Sequence, residues 1–418
     1  MSLQGPIFVV ADSPVPELLS SLTGAGAFPI IETTQTGLAA RLAEIEPAAI
    51  VLGEPPAADL DLVVGVPNGW AGDRPYVPIL ATADGTSPER LGMLICADGR
   101  PGRLTARLRA ALRVRTLHAT VLRRLASIEE AGRTPAMPGG DPLEDATVLV
   151  AGRGGSYPAL VVAVGERAGL VGALSLDAAG HLLRSRDIDG LVVGDGFNRR
   201  IVMTFVDELA ADARFRDLPI VVTDGLASGI DPEKLPNLIH VAGEPKTAID
   251  HLIPLLRLRA FTGRLRRMMA SLDAKGSLDP DTGLHSGDAF LRDLARTMSD
   301  AEKYGTALSL ARFSLASLTD WRASHDAARI VARLVRGVDF GCRDDDGTIL
   351  VAFTETDQRA AHVVARRIAS VLKHTTLLAG HDRRQLDPTV TIAAFKNRDT
   401  PRTLLARVSC PPDAVAAG

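Results

Sequence analysis

Arg336-Gly337-Val338-Asp339, running on through Phe340-Gly341-Cys342-Arg343 and Asp344-Asp345-Asp346-Gly347-Thr348 into Ile349-Leu350-Val351-Ala352-Phe353, is the stretch on which the reading of this chain turns. The last five residues read as a strand, and the acidic run before them as a turn. An arginine and a carboxylate three residues apart can present a donor fork and an acceptor to one flat ligand. Guanine is such a ligand: its O6 and N7 accept a bidentate guanidinium contact, and its N1 and N2 hydrogens suit a carboxylate. The plain alternative is an exposed helical ion pair, a contact worth about 0–1 kcal/mol.

The surroundings of this stretch decide between the two. Upstream stands Leu278-Asp279-Pro280-Asp281-Thr282-Gly283-Leu284-His285-Ser286, followed by Phe290; Arg343 lies four residues after Asp339, and Arg367 lies 31 positions after Arg336 on a helical pattern. Together these resemble the GGDEF domain of diguanylate cyclases over residues 277 to 410. The resemblance implies an α/β, nucleotidyl-cyclase-like fold in which R-x-x-D is the product-binding inhibitory site. Arg336 and Asp339 would then be primary ligands of cyclic di-GMP, and Arg367 would support them. Arg296 is a candidate for a further arginine supplied by a neighbouring copy.

The same resemblance places the active-site hairpin on Asp345, Asp346, Gly347, Thr348 and Ile349, where the signature is lost. In the family, carboxylates at the end of the first strand and in the hairpin hold two Mg²⁺, which lower the charge of a nucleoside triphosphate. Here the strand Ala307-Leu308-Ser309-Leu310-Ala311-Arg312-Phe313-Ser314 carries no acid, and Gly347 and Thr348 stand where the two hairpin acids belong. Binding without turnover, and without a metal, is therefore expected.

Residues 1–131 alternate short apolar runs with amphipathic stretches, the pattern of a parallel sheet covered by helices. Strands are expected at Pro6–Ala11, Ala48–Leu52, Val77–Ala81 and Gly92–Cys96, and a long helix from Leu104 to Ala131. This resembles a flavodoxin-like receiver domain of response regulators, with Thr82 at its fourth-strand position and Arg100-Pro101 near its Lys-Pro position. The phosphoacceptor position then falls on Gly53, which has no nucleophile. Glu54 beside it is either a charge mimic or a solvated side chain.

Residues 132–145, rich in Pro and Gly, read as a linker. Residues 146–275 repeat the rhythm, with strands expected at Thr147–Ala151, Gly190–Val193, Pro219–Thr223 and Leu238–Ala242. In this second receiver-like unit Gly194, beside Asp195, takes the phosphoacceptor position, and Gly152-Arg153-Gly154 replaces the acidic pair. The glycines from Arg153 to Ser156 lack G-K-[ST] and read as a tight turn rather than a phosphate loop. From Thr247 to Lys275 a helical connector is expected, interrupted at Pro254 and Gly263. Its arginines 257, 259, 264, 266 and 267 read as a solvated face or as a docking surface for an acidic partner.

A chain of 418 residues suffices for about three domains, and with a formal charge of −3 no general affinity for nucleic acid or anionic membrane is indicated. No apolar run of membrane-spanning length and no leader pattern is present, so a cytoplasmic protein without membrane insertion is expected. Cys96, Cys342 and Cys410 are isolated and read as reduced thiols, the nine histidines form no metal-binding spacing, and residues 411–418 read as a frayed tail.

Two receiver-like units followed by a degenerate GGDEF-like unit is the layout of the PleD family of response regulators. That resemblance implies a catalytically inactive cyclic di-GMP receptor, dimeric through its receiver units. It further implies recruitment to the cell pole and adaptor proteins of a ClpXP proteolysis pathway in cell-cycle control. The rival readings are a nucleotide-independent dimerisation scaffold and a weak diguanylate cyclase.

Overall fold

The computed structural model of the chain describes residues 5–27, 29–54, 72, 74–82, 94–96, 101–129, 137, 139–223, 235–240, 245–315, 321–373, 376–379 and 382–409. Arg100, residues 132–136 and 138 of the expected linker, Cys410 and the expected tail at 411–418 lie outside the described residues. The chain divides into two compact units: Met1–Ala168 with Gly172–Gly180 and Ile188–Leu265, and Gly169–Val171 with His181–Asp187 and Arg266–Gly418.

The first unit begins with strands β1 (Ile7–Val10), β2 (Ile30–Thr33), β3 (Ala49–Leu52), β4 (Ile79–Ala81) and β5 (Leu94–Cys96), with helices α1 (Pro16–Gly24) and α2 (Leu38–Glu44) between the first three. Their order is β2-β1-β3-β4-β5, and every neighbouring pair is parallel. This is the doubly wound, flavodoxin-type order. Strands β1 and β3 are buried along their whole length. Covered on both faces, they read in sequence as unbroken apolar runs. Strand β2, Ile-Ile-Glu-Thr at the sheet edge, is only partly buried and escaped the expectation for that reason.

The order repeats in β6 (Thr147–Ala151), β7 (Gly169–Ala173), β8 (Gly190–Val193), β9 (Ile220–Val222) and β10 (Leu238–His240). These strands run β10-β9-β8-β6-β7 across the sheet, the same 2-1-3-4-5 sequence read from the other side. Helices α4 (Tyr157–Gly165), α5 (Leu176–Ser185) and α6 (Arg199–Ala211) connect them. Strand β7, with two glycines in five residues, is the one its sequence conceals.

A 29-residue helix, α3 (Pro101–Glu129), links the two sheets through its arginines. Arg109 donates to the Ala25 carbonyl at 3.2 Å, and Arg115 to Glu46 at 2.9 Å and to the Pro75 and Tyr76 carbonyls at 3.0 Å. On the side of the second sheet, Arg107 donates to the Pro236 carbonyl at 2.9 Å and Arg113 to Asp217 at 2.8 Å. His118 is fully buried between them, its Nδ1 accepting the Tyr76 amide at 3.1 Å and its ring edge-on to Phe261. Burial, helped by Arg115, pushes its pKa down to about 4, so it sits there as a neutral core group.

Helix α7 (Pro245–Asp273) corrects the expected connector in two respects. It runs unbroken through Pro254 and Gly263. A proline removes one backbone donor, yet Ile253, Leu255, Leu256 and Leu258 beside it are all buried, and that apolar face keeps the helix intact. Nor are all its arginines solvated. Arg264 is buried, donating through Nε to Asp145 at 3.0 Å and through Nη1 to the Gly140 carbonyl at 3.1 Å. Arg257 pairs with Asp141 at 2.9 Å. The end of the expected linker, Pro142–Asp145, is thereby held as a 3₁₀ turn rather than running free.

The second unit carries α8 (Gly287–Tyr304), β11 (Leu308–Leu315), α9 (Trp321–Leu334), β12 (Phe340–Arg343), β13 (Ile349–Thr354), α10 (Gln358–Lys373), the hairpin β14 (Thr376–Ala379) and β15 (Asp382–Gln385), β16 (Pro388–Ala394) and α11 (Pro401–Ser409). Its four-stranded sheet, ordered β12-β13-β11-β16, is antiparallel throughout. Alternation along the strands splits the core into two layers. Ala311, Phe313, Val351 and Phe353 pack with α9 and α10, whereas Leu308, Leu310, Leu350 and Ala352 pack with α8 and α11. Helix α10 buries Ala361, Ala365, Ile368 and Leu372, a stripe at helical spacing, and α9 offers Ala323, Ala327 and Ala328, small enough to seat it close to the sheet. Cys342 belongs to the other layer, where burial and Asp344 push its thiol up to about 12.

Candidate functional site

Strand β12 has a turn at each end, and Arg336–Asp339 and Asp344–Thr348 form those two turns. At the first, helix α9 gives way to Arg336–Asp339, closed by the Asp339 amide donating to the Arg336 carbonyl at 3.0 Å. The Arg336 side chain is exposed. Among the described residues its guanidinium has no hydrogen-bond or ion-pair partner. Asp339 is only 9% exposed, and its Oδ1 accepts the Thr354 amide at 2.9 Å and the Thr354 hydroxyl at 3.2 Å. The same hydroxyl lies 3.2 Å from the Val338 carbonyl. The helical ion pair between Arg336 and Asp339 is therefore not formed; the carboxylate is tied to the end of β13 and the arginine is left over.

Thr354 closes β13, and α10 begins at Gln358. Arg367 is exposed on that helix, next to the buried Ile368. Helices α9 and α10 cover the same sheet face; Arg336 and Asp339 lie on the turn that follows α9, and Arg367 on α10. Arg296 does not. It is 80% exposed on α8, which covers the opposite face, and stands 3.8 Å from Asp293.

At the second turn, the Asp344 amide donates to the Thr348 carbonyl at 2.8 Å and the Gly347 amide to the Asp344 carbonyl at 2.9 Å. Gly347 has φ +82°, a conformation that a side chain resists. A Cβ there would also stand 3.1 Å from the Ser324 hydroxyl. Asp346 accepts the Thr348 amide at 2.9 Å and its hydroxyl at 2.6 Å on Oδ1, and Arg312 of β11 at 3.0 Å on Oδ2. Burial alone would raise the Asp346 pKa, but the Thr348 bonds and the Arg312 charge outweigh it and hold the carboxyl below its ordinary value. Asp345 is exposed, its amide bonded to Asp344 Oδ1 at 2.9 Å.

The strand residue facing Asp346 is a guanidinium, itself a positive charge, and Gly347 and Thr348 supply no carboxylate. No cluster of three or more acids, histidines or cysteines suited to a metal occurs among the described residues.

The upstream motif folds into its own turn. The Asp279 amide donates to the Leu284 carbonyl at 2.7 Å, the Gly283 amide to the Asp279 carbonyl at 2.8 Å, and the Thr282 hydroxyl to Asp279 Oδ2 at 2.6 Å. His285 then donates its amide to Gly341 at 2.8 Å, fixing this segment along β12. Phe290 is buried in the core beneath.

In the first unit, the surroundings of Gly53 and Gly194 are closed by the chain itself. The Gly53 carbonyl accepts the Thr82 hydroxyl at 3.1 Å, and Glu54 accepts the Ser13 amide at 3.1 Å and the Asp12 amide at 3.3 Å. The Ser13 side chain and these amides hold the Glu54 carboxyl below its ordinary range. Glu54 thus ties the ends of β1 and β3 together and is more than a solvated side chain. Beyond Gly194, Asp195 accepts the Ser156 amide at 3.2 Å and the Ser156 hydroxyl. Gly154 packs against that carboxylate so closely that a Cβ would lie 2.4 Å from it.

Sequence reasoning passed over Thr354 and Arg312. A threonine ending an apolar strand carries no signal of its own. A lone arginine within an apolar strand opposite an acidic turn was the available clue to the second.

No family model matches the chain, and no curated protein matches it. Solved structures similar to it include the coiled coil and GGDEF domain of DgcB from Caulobacter crescentus in complex with c-di-GMP, at 17% identity over 35% of this chain and 83% of that one, with a TM-score of 0.31. A sensory box/GGDEF family protein from the same organism matches at 18% identity over 32% of this chain and 93% of that one, with a TM-score of 0.29. The GGDEF domain of FimX from Pseudomonas aeruginosa matches at 17% identity over 34% of this chain and 95% of that one, with a TM-score of 0.30.

Proposed function

We propose that the chain is a receptor for cyclic di-GMP, binding it at the Arg336–Asp339 turn with Arg367 in support, and that it does not synthesise the dinucleotide. One observation carries the reading: a four-residue turn holds an exposed arginine without a partner among the described residues beside a carboxylate fixed by Thr354. Such a turn offers a guanine its Hoogsteen-edge donor and an acceptor. The Arg312–Asp346 contact supports the second half of the reading, because the position that would need a metal ligand is filled by a fixed cation.

In this reading residues 276–410 are a degenerate GGDEF domain, and the two flavodoxin-ordered sheets are receiver pseudodomains whose phosphoacceptor positions, Gly53 and Gly194, are silent. The whole is a cyclic di-GMP effector of the PopA kind. It dimerises through its receiver pseudodomains and, once loaded, engages adaptor proteins of a ClpXP pathway at the cell pole. The buried and paired arginines of α3 favour the scaffold role for the first unit, since they hold both sheets to one helix.

Titration calorimetry of the full chain with cyclic di-GMP tests the receptor reading, with cyclic di-AMP and GTP plus Mg²⁺ as controls. Selective micromolar or tighter binding is expected, with no diguanylate product formed from GTP. Absence of heat with every guanine nucleotide would overturn the reading.

A further inference from the structure

The corner between β13 and α10 is held by more bonds than a strand end requires. The Thr354 amide and hydroxyl both reach Asp339 Oδ1. Two residues on, the Thr356 amide donates to the Ala307 carbonyl at 3.2 Å, its hydroxyl to the Thr354 carbonyl at 2.7 Å, and its carbonyl accepts the buried Ser309 hydroxyl at 2.9 Å. Between them Glu355 sits at φ +49°, in the left-handed region. A non-glycine residue there costs on the order of 1 kcal/mol and persists only where its surroundings over-determine it. The corner is thus a strained segment clamped at both ends. One clamp is the carboxylate of the candidate site, and the helix that follows carries Arg367.

Asp339 itself has spare capacity. A carboxylate accepts about four hydrogen bonds. Here both donors fall on Oδ1, and Oδ2 accepts none among the described residues. Oδ2 is not buried away from solvent, so a donor arriving with a ligand can reach it.

We infer that Thr354 is the positioning residue of the site: its hydroxyl and amide hold Asp339 Oδ1 so that Oδ2 is the oxygen that receives the exocyclic amine of guanine. The inference rests on the receptor reading above and adds to it what sets guanine preference. Thr354 does not touch the ligand. It acts by fixing the rotamer of the carboxylate that does.

The probe is a pair of ligands differing only in that amine, cyclic di-GMP and cyclic di-IMP, titrated into the full chain. The arginine contacts to O6 and N7 are common to both, so the ratio of their affinities isolates the carboxylate. The parent should prefer cyclic di-GMP about tenfold, within the range for a hydrogen bond to a charged group. Thr354→Val, keeping the amide bond and losing the hydroxyl, should reduce that preference to about twofold, and Thr354→Ser should restore it. Thermal melts of each variant keep a folding defect from being read as a binding effect, because loss of folded protein lowers the active fraction without changing the ratio. A parent that binds neither ligand overturns the receptor reading itself. A parent that binds both equally leaves a receptor standing and overturns this inference. An unchanged ratio in Thr354→Val, or a Thr354→Ser as impaired as the valine variant, overturns it as well.

Discussion

The two turns at the ends of β12 are built from the same materials, arginine and aspartate, and end in opposite electrostatic states. At Asp344–Thr348 the chain satisfies Asp346, which has Arg312 on one oxygen and Thr348 on the other, and the Gly347 carbonyl takes Ser324 at 3.2 Å. At Arg336–Asp339 the carboxylate is satisfied on one oxygen by Thr354, and the guanidinium has no partner among the described residues. A carboxylate paired on both oxygens has little left to offer a ligand. The open turn has more, because an unpaired guanidinium beside a fixed acceptor gains by meeting an anion or a base edge. Residue types alone therefore do not distinguish a binding turn from a spent one; the pairing does.

The contrast breaks most directly at its open side. Arg336→Ala should weaken cyclic di-GMP binding at least about tenfold, the lower end of what a bidentate arginine–guanine contact contributes. Calorimetry of the folded variant checks this, and equal affinity would reduce the turn to a surface feature. The next largest effect is expected at the closed side. Arg312→Asp removes the internal cation and sets a second carboxylate against Asp346, which should lower stability by about 1 kcal/mol. A divalent cation should then stabilise the variant. Thermal melts with and without Mn²⁺ measure it: a rise in melting temperature confined to the variant is expected, and an Mn²⁺-indifferent variant would mean that the guanidinium does not stand in for a metal.

How much of this was legible beforehand follows the physics of each element. Strands β1, β3, β6 and β8 are covered on both faces, and their apolar runs announce them. Strands β2 and β7 are edge-like or glycine-rich, and nothing local marks them. The unbroken α7 was hidden because a proline is a strong local signal, while the burial that overrides it comes from partners distant in the chain. The burial of Arg264 was hidden for the same reason: Asp145 lies 119 positions away. In the candidate site, Arg336 and Asp339 could be named from spacing. That Asp339 is held by Thr354 and Asp346 by Arg312 could not, since strand register brings together residues that no periodicity relates.

The smaller effects sharpen the comparison by titration and by strain. Asp346 has a folded-state pKa below its ordinary value of 3.8. A carboxyl of this kind contributes stability above the unfolded pKa and loses it as pH falls through the folded one. The contribution is therefore present at neutral pH and disappears below about pH 4. Because the side chain is more than half exposed, solvent keeps it small, a fraction of about 1 kcal/mol. Asp346→Asn should flatten the acid limb of the stability curve, measured by urea unfolding between pH 3 and 6, and leave cyclic di-GMP affinity unchanged. The smallest effect is expected at Glu355→Gly. Glycine removes the left-handed penalty at φ +49° but adds unfolded-state entropy of similar size, so the net change should be a few tenths of a kcal/mol at most. If the bonds of Thr354 and Thr356 hold the corner, binding survives the glycine intact. If affinity falls with Glu355→Gly at unchanged stability, then backbone stiffness rather than the Thr354 bonds fixes Asp339, and the open turn depends on strain where the closed one depends on charge.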